Sequence, residues 1–393
     1  MKVKKILFPL MLYAFFINQI YSYNNAPYKP LEGSISYQQM PFANSITVAL
    51  KFFVFACLLL LVFMQFGRKK QYSAGYLLCA VLLIGGVFVW TLLTLSNVGF
   101  LDMMYASTPP FVYLTALAAF IGADDDLYRL FLKHGFIIGF FSIIMSLVSY
   151  IGFIAKYPDG ILANSSVLVF YIQGFWLLCI WSFTAQKPNK YLVYVIVVLS
   201  IVLAIMFNSR SWIIQSVIWL IAYVYSADRR KGLIKLFRTV VPIAIILAVA
   251  IATVSHFYPA VFESLVEKMS PQETRAAQYT DLFSQTVFWD YVVGKGYDFT
   301  YYSTIQNGYY SYIDNAYLLM LVRYGFMIGL TYPLMFIIPM FRSGRSKRII
   351  PLVMWLLALG GLSVYCVTTL DLKSVSLAIL AGRCIKKQSD EIV

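Results

Sequence analysis

Charge is what this chain has least of. Only 12% of its 393 residues are Asp, Glu, Lys or Arg, against 61% hydrophobic ones, and the mean hydropathy is +0.75. A water-soluble globule of that size has nowhere to hide so much apolar surface, so a soluble enzyme or binding domain is excluded. The excess of 31 Lys and Arg over 17 Asp and Glu is scattered over many loops. It forms no single patch suited to nucleic acid. The five cysteines, Cys57, Cys79, Cys179, Cys366 and Cys384, lie in or beside apolar runs without paired spacing, which argues against a disulfide framework and a metal cluster. There is no repeat of fixed period, no low-complexity tract and no soluble domain large enough to fold alone.

What the chain has instead is a succession of apolar runs near the ~20 residues that a helix needs to cross a bilayer. They fall at about 6–23, 46–66, 74–96, 106–122, 135–155, 163–184, 190–207, 211–226, 239–257, 315–341 and 349–370. A shorter run, 374–382, ends in Arg383, Lys386 and Lys387 and is a candidate twelfth. The expected fold class is all-α: a polytopic membrane protein of about eleven or twelve helices, forming one domain over residues 1–393. With the amino terminus inside, Lys2/Lys4/Lys5, Arg68/Lys69/Lys70, Lys187/Lys190, Arg229 to Arg238 and Arg342 to Arg348 all fall on the cytoplasmic side. Residues 1–23 read as an uncleaved first helix, because no small-x-small site follows the run.

One loop breaks the pattern of short connections. Residues 257–313 are expected outside, with a surface-lying amphipathic helix at 261–269. A second helix would start at the capping-box sequence Ser270-Pro271-Gln272-Glu273 and run to about Trp289. Gly294-Lys295-Gly296 then breaks the pattern, and an aromatic-rich stretch leads to Asp314 and Asn315.

The candidate chemistry gathers at or near this loop. Arg210 lies between two apolar runs, where an arginine at membrane depth costs from ~2.5 kcal/mol upward, so it either snorkels at a turn or serves an anion. Arg275 sits near a helix amino end, where free N–H groups favour anions. Two outer arginines would suit a pyrophosphate, which guanidinium binds bidentately. Trp289, Tyr291, Tyr297, Phe299, Tyr301, Tyr302, Tyr309, Tyr310, Tyr312 and Tyr317 form either an interfacial aromatic belt or a surface for sugar rings. Asp314 is the general-base candidate, since partial burial raises a carboxyl pKa, and it equally suits a helix N-cap. His256 is a second possible base. Arg323, deeper in the following run, reads as snorkelling or paired and is a secondary candidate for substrate contact. Asp124-Asp125-Asp126 contains the D-x-D of metal-dependent sugar-nucleotide enzymes, but it faces the cytoplasm with no nucleotide-binding domain around it and is set aside.

Arg275 on its capped helix, Val292-Val293-Gly294-Lys295-Gly296-Tyr297, Asp314-Asn315-Ala316-Tyr317-Leu318 and Leu321-Val322-Arg323-Tyr324-Gly325-Phe326-Met327-Ile328-Gly329 together resemble the large periplasmic loop of the O-antigen ligase and polymerase superfamily. Asn208-Ser209-Arg210-Ser211 is similar to that family's Ser-Arg element. The resemblance implies a metal-independent, cofactor-free glycosyltransferase of the bacterial inner membrane, facing the periplasm or exterior. Its partners would be an undecaprenyl-pyrophosphate-linked glycan donor and acceptor, membrane lipid, a chain-length regulator and a flippase. Arg210 and Arg275 would hold the leaving pyrophosphate and Asp314 would be the base, with Asn315, Tyr317, Tyr297, Arg323 and His256 contacting substrate. The family often has His where this chain has Asp314, a departure that favours a polymerase over a lipid-A-core ligase. A lipid-linked oligosaccharide flippase is the rival from another class, but these spans are nearly charge-free and unrepeated. A dolichol-type transferase should carry acids in its first outer loop, where residues 24–45 offer only Glu32.

The Lys/Arg alternation generates a direct expectation. Cysteines substituted for Asp281 or Asn307 should react with an impermeant thiol reagent in outer-permeabilised cells, and protection at both positions would reverse the topology.

Overall fold

The computed structural model describes residues 2–25, 27–30, 36–39, 44–66, 72–105, 109–162, 190–207, 209, 212–214, 216–217, 220, 233–269, 274–305, 307–313, 315–342 and 372–385. The helices are α1 (Lys2–Asn24), α2 (Ser45–Phe66), α3 (Ala74–Val98), α4 (Phe100–Tyr105), a 3-10 segment (Pro110–Ala118) leading into α5 (Ala119–Gly122), and α6 (Asp125–Lys156). They continue with α7 (Lys190–Met206), α8 (Leu233–Phe257), α9 (Pro259–Met269), α10 (Thr274–Ser284), α11 (Phe288–Val293), α12 (Ala316–Gly329), α13 (Thr331–Arg342) and α14 (Leu372–Ile385). Strands β1 (Tyr28–Pro30), β2 (Ser36–Gln39) and β3 (Ile161–Leu162) form one small sheet, and β4 (Tyr301–Ser303) and β5 (Gly308–Tyr310) a hairpin.

Among the described residues four helices, α1, α2, α3 and α6, are long and apolar enough to cross a membrane, and α12 with α13 makes a fifth if the pair is one broken span. Runs 106–122, 190–207 and 239–257 contain shorter apolar helices. Runs 163–184 and 349–370, and most of 211–226, lie outside the described residues. The class is therefore that of a helical membrane protein.

Two expectations are corrected. The run 315–341 is not one straight helix: α12 and α13 bend by 69°, where Pro333 offers no N–H to the Gly329 carbonyl and crowds it. The helix begun near 274 stops at Ser284, not Trp289. There Thr286 turns its hydroxyl back to the Leu282 carbonyl, and the Gln285 side chain bonds both N–H and C=O of Tyr302 (2.8 and 2.9 Å), which draws the chain into the hairpin. The run 374–382 lies in a helix of 14 described residues, α14.

The chain divides into two compact units. In the first, β2 pairs antiparallel with β1 and parallel with β3, so loops 24–45 and 156–163, both expected outside, are joined. Tyr28, Tyr37, Phe153 and Tyr157 stack around that sheet with centroids 4.5 to 6.3 Å apart. Lys5 pairs with Asp126 at 3.3 Å, two residues both expected inside. In the same unit α9 covers 259–269, as the amphipathic spacing predicts.

The second unit is built on α3. Its Ser73 side chain caps the start by accepting from the Tyr76 N–H (3.2 Å), and Gly99 at φ 82 ends it. α14 is buried along its described length and meets the Pro110–Gly122 segment backbone to backbone. A Cβ on Gly122 would run into the Ile379 carbonyl, and one on Gly382 into that of Ala119. Arg383 closes the contact with 2.7 Å to Asp125. Asp125 and Asp126, two of the three acids in the Asp124–Asp126 run, thus each form an ion pair.

Gly382→Val should destabilise the detergent-solubilised protein by at least the ~1–3 kcal/mol typical of overpacking, read as a lowered thermal midpoint. Gly85→Ala, where an added Cβ meets nothing within 4 Å, should leave it unchanged or raise it slightly.

Candidate functional site

The two motifs at the centre of the loop resemblance meet in the second unit. α11 is a single turn and a half, and its Asp290 carboxylate accepts from the Val287 N–H (2.9 Å) and from Lys295 Nζ (3.3 Å). The hydrogen bond from Val287, with Lys295 adding to it, holds that carboxyl below its usual range. Gly294 ends the helix at φ 94 and donates to the Asp290 carbonyl (3.0 Å).

The chain after Gly294 lies on a break in α12. Gly325 sits at φ 62 and ψ −164 inside the helix, so the carbonyls before it are turned away from the next turn's N–H groups. Each finds another donor. Lys295 N–H bonds Val322 O (2.8 Å), Gly296 N–H bonds Arg323 O (2.9 Å), and Trp90 Nε1–H, from α3, bonds Tyr324 O (2.9 Å). The fit tolerates no side chain at the crossing. A Cβ on Gly294 would lie 2.7 Å from Arg323 O and Gly325 N and 2.8 Å from the Trp90 ring, and one on Gly325 would strike Val292 and Val293.

Arg323 is buried, at 5% exposure, and does not snorkel. It donates from Nη2 to the Ser311 carbonyl (2.6 Å) and lies over the Tyr297 ring, 5.3 Å from its centroid. Burial raises the Tyr297 phenol, and the Arg323 charge pulls the other way. The Tyr312 carbonyl accepts from Tyr301 OH (2.9 Å) and Gln278 Nε2 (3.2 Å), and Ile313 is fully buried with Leu282, Phe299, Tyr301, Leu319 and Val322. The three residues before Asp314 are therefore tied to the helix, the hairpin and α10 in turn.

After it comes Asn315, whose side chain accepts from the Leu318 N–H (3.1 Å). The N-cap expected of Asp314 is thus supplied by Asn315, since the chain stays extended there (φ −149, ψ 106) and turns helical one residue later. Asp314 and Arg210 lie outside the described residues, as does the Arg275 side chain. Arg275 is in the first turn of α10. Ser209 N–H bonds back to Ala204 O (2.8 Å) and its carbonyl accepts from Ile213 N–H (3.2 Å), while the rest of the expected turn, Asn208, Arg210 and Ser211, lies outside the described residues. Trp212 beyond it is fully buried and donates to Ser200 Oγ (3.0 Å). His256 is exposed near the end of α8, in the first unit, with its ring 4.9 Å from that of Phe257.

The aromatic run divides. Phe299 and Tyr301 are core residues, buried with Leu282, Ile313, Leu319 and Val322 and so not exposed to a ligand. Tyr302 and Tyr309 are exposed cross-strand partners with centroids 5.9 Å apart. Tyr317 is half-buried at the start of α12. Asp281 is committed to the Thr304 N–H and hydroxyl (2.7 and 2.9 Å). Among the described residues no group of three His, Cys, Asp or Glu could hold a metal ion. Sequence reasoning missed Trp90, and its only signal was an indole N–H in an apolar helix, which needs a partner.

These features define a helical membrane protein with a loop anchored on a broken helix. Family models, curated proteins and solved structures give no match to the chain.

Gly325→Ala should destabilise the detergent-solubilised protein more than Trp90→Phe. The first forces a side chain into left-handed backbone against Val292 and Val293, whereas the second leaves one carbonyl without its donor, about 1–3 kcal/mol. Equal or smaller loss for Gly325→Ala, by thermal unfolding, would contradict the docking.

Proposed function

We propose that this chain is a polysaccharide polymerase, joining oligosaccharide repeat units carried on undecaprenyl pyrophosphate at the outer face of the cytoplasmic membrane. The observation that carries the reading is the docking of the Val292–Tyr297 turn on the Val322–Gly325 break. The family resemblance rests on those two stretches as separate strings, and nothing in the strings requires them to touch. The segment Ser311–Ile313, leading to Asp314, is held by the same assembly.

In this reaction an acceptor-sugar hydroxyl oxygen bonds to the anomeric carbon of the donor as the bond from that carbon to pyrophosphate breaks. Asp314 takes the hydroxyl proton, and Arg210 and Arg275 bind the departing pyrophosphate as its charge grows. Asn315, as the cap, fixes the start of α12 beside Asp314. Arg323 and Tyr297 act in this reading as supports of that segment, with Tyr302 and Tyr309 offering rings to sugar. His256 remains the alternative base, O-antigen ligation the nearest alternative reaction.

The broken α12–α13 pair also suits a transporter, whose discontinuous helices bind ions through bare carbonyls. Against that, at the bend itself the Phe326 carbonyl accepts from the Leu330 N–H (3.3 Å) and the Met327 carbonyl from the Thr331 hydroxyl.

Deleting the gene and sizing the surface polysaccharide separates the readings. Single repeat units are expected of a polymerase, and loss of all exported glycan would indicate a flippase. In the complemented strain, Asp314→Asn should abolish polymer with normal membrane levels, and because Asn315 caps the helix, Asp314→Ala should do the same without added loss of protein. Arg210→Lys and Arg275→Lys keep the charge but lose the planar fork, and each should lose most activity. Wild-type polymer from a well-expressed Asp314→Asn protein would remove Asp314 as base.

A further inference from the structure

The Gly294 turn meets its two neighbours well below their ends. Trp90 lies about two turns before the last residue of α3, Val98, which is about 12 Å along the axis. Tyr324 lies about two turns after the first residue of α12, Ala316, again about 12 Å. The two helices run antiparallel at this crossing, since Trp90 bonds Tyr324 one turn from where Gly86 packs on Met327. The two depths are therefore measured from the same side and agree. α3, with 25 residues, is about 37 Å long, only ~7 Å more than a hydrocarbon core of ~30 Å. A contact 12 Å below its end lies inside the hydrocarbon margin.

The short helix that ends at this turn carries an apolar outer surface. Phe288, Trp289 and Val293 are each about two-thirds exposed, with Val287 beside them, and the Phe288 and Trp289 rings meet edge to face at 5.8 Å. α3 is bare and apolar around the same level, at Phe88, Val89, Leu92 and Leu93, as is α12 at Phe326 and Met327. The charges on the turn are already neutralised: Asp290 is held by the Val287 N–H and Lys295. Every backbone group that the turn presents to the break is bonded. A turn whose N–H groups are bonded and whose charges are paired is what a hydrocarbon environment allows.

We infer that α11 and the Gly294-Lys295-Gly296 turn form a re-entrant element, dipping from the loop into the outer margin of the bilayer, with Phe288, Trp289 and Val293 in contact with lipid acyl chains. The occupant of this face is bilayer lipid, because the face continues the lipid-facing surface of two helices at a matching depth. The inference does not depend on the proposed activity.

The test uses the full-length protein with its five cysteines replaced, reconstituted in phosphatidylglycerol and phosphatidylethanolamine vesicles. Nitroxides are attached at Phe288→Cys, Trp289→Cys, Val293→Cys and, for contrast, Tyr309→Cys on the exposed hairpin. Collision with oxygen should exceed collision with a water-soluble nickel chelate at the first three positions, and the order should reverse at 309. Dominant nickel collisions at 288 and 289 would place the face in water, and shielding from both agents would place it against a second copy or another protein. Either result overturns the inference. Should a labelled variant fail to fold, brominated-lipid quenching of the natural tryptophans decides: Trp289→Phe should remove part of the quenchable emission, and no change would equally overturn the inference.

Discussion

A backbone carbonyl released inside an apolar layer must find a donor, and this one requirement organises the second unit. Gly325 takes α12 out of helical geometry, and Val322, Arg323 and Tyr324 would be left facing an environment without water. Unmade hydrogen bonds of this kind cost several kcal/mol each in hydrocarbon. The remedy joins three stretches distant in sequence: α3 through Trp90, the loop through Lys295 and Gly296, and α12 itself. The glycines follow from it. Gly294 and Gly325 lie where two backbones touch, and both need positive φ as well as room.

Arg323 extends the same logic to charge. A guanidinium at 5% exposure is tolerable only when its donors have acceptors, and here the acceptor is the Ser311 carbonyl, with the Tyr297 ring beneath the charge. The helix break and the buried arginine thus pull on successive parts of the loop, the first on 294–296 and the second on 311. Between them the hairpin folds over a small core, and Tyr301 spends its hydroxyl on Tyr312. The order that results is local to Asp314's neighbours in sequence. That is the arrangement a group transferring protons would need, in which flexibility around the reacting atoms is costly.

The division of the aromatic residues shows how far side-chain type alone can be read. Ten rings between 289 and 317 have one chemical character, equally fit for core, belt or ligand. Strand alternation puts Tyr301 inward and Tyr302 outward on neighbouring positions. A reading by composition treats them as alike. The same one-residue distinction moves the helix cap from Asp314 to Asn315, both of which are good capping residues.

The sequence by itself determined the class of the protein, because a ~20-residue apolar run is a local property that acts on each helix separately. It also carried the amphipathic helix expected over 261–269, a product of short-range spacing. Only the tertiary structure decided the docking of the loop on the Gly325 break, the short stop of α10, the burial of Arg323 and the role of Trp90. Each of these depends on a donor, acceptor or packing surface from another element, as when Trp90 reaches Tyr324 across 234 residues. A pattern of residue types records that a polar group will need a partner, but the partner is chosen by which helices come to lie side by side.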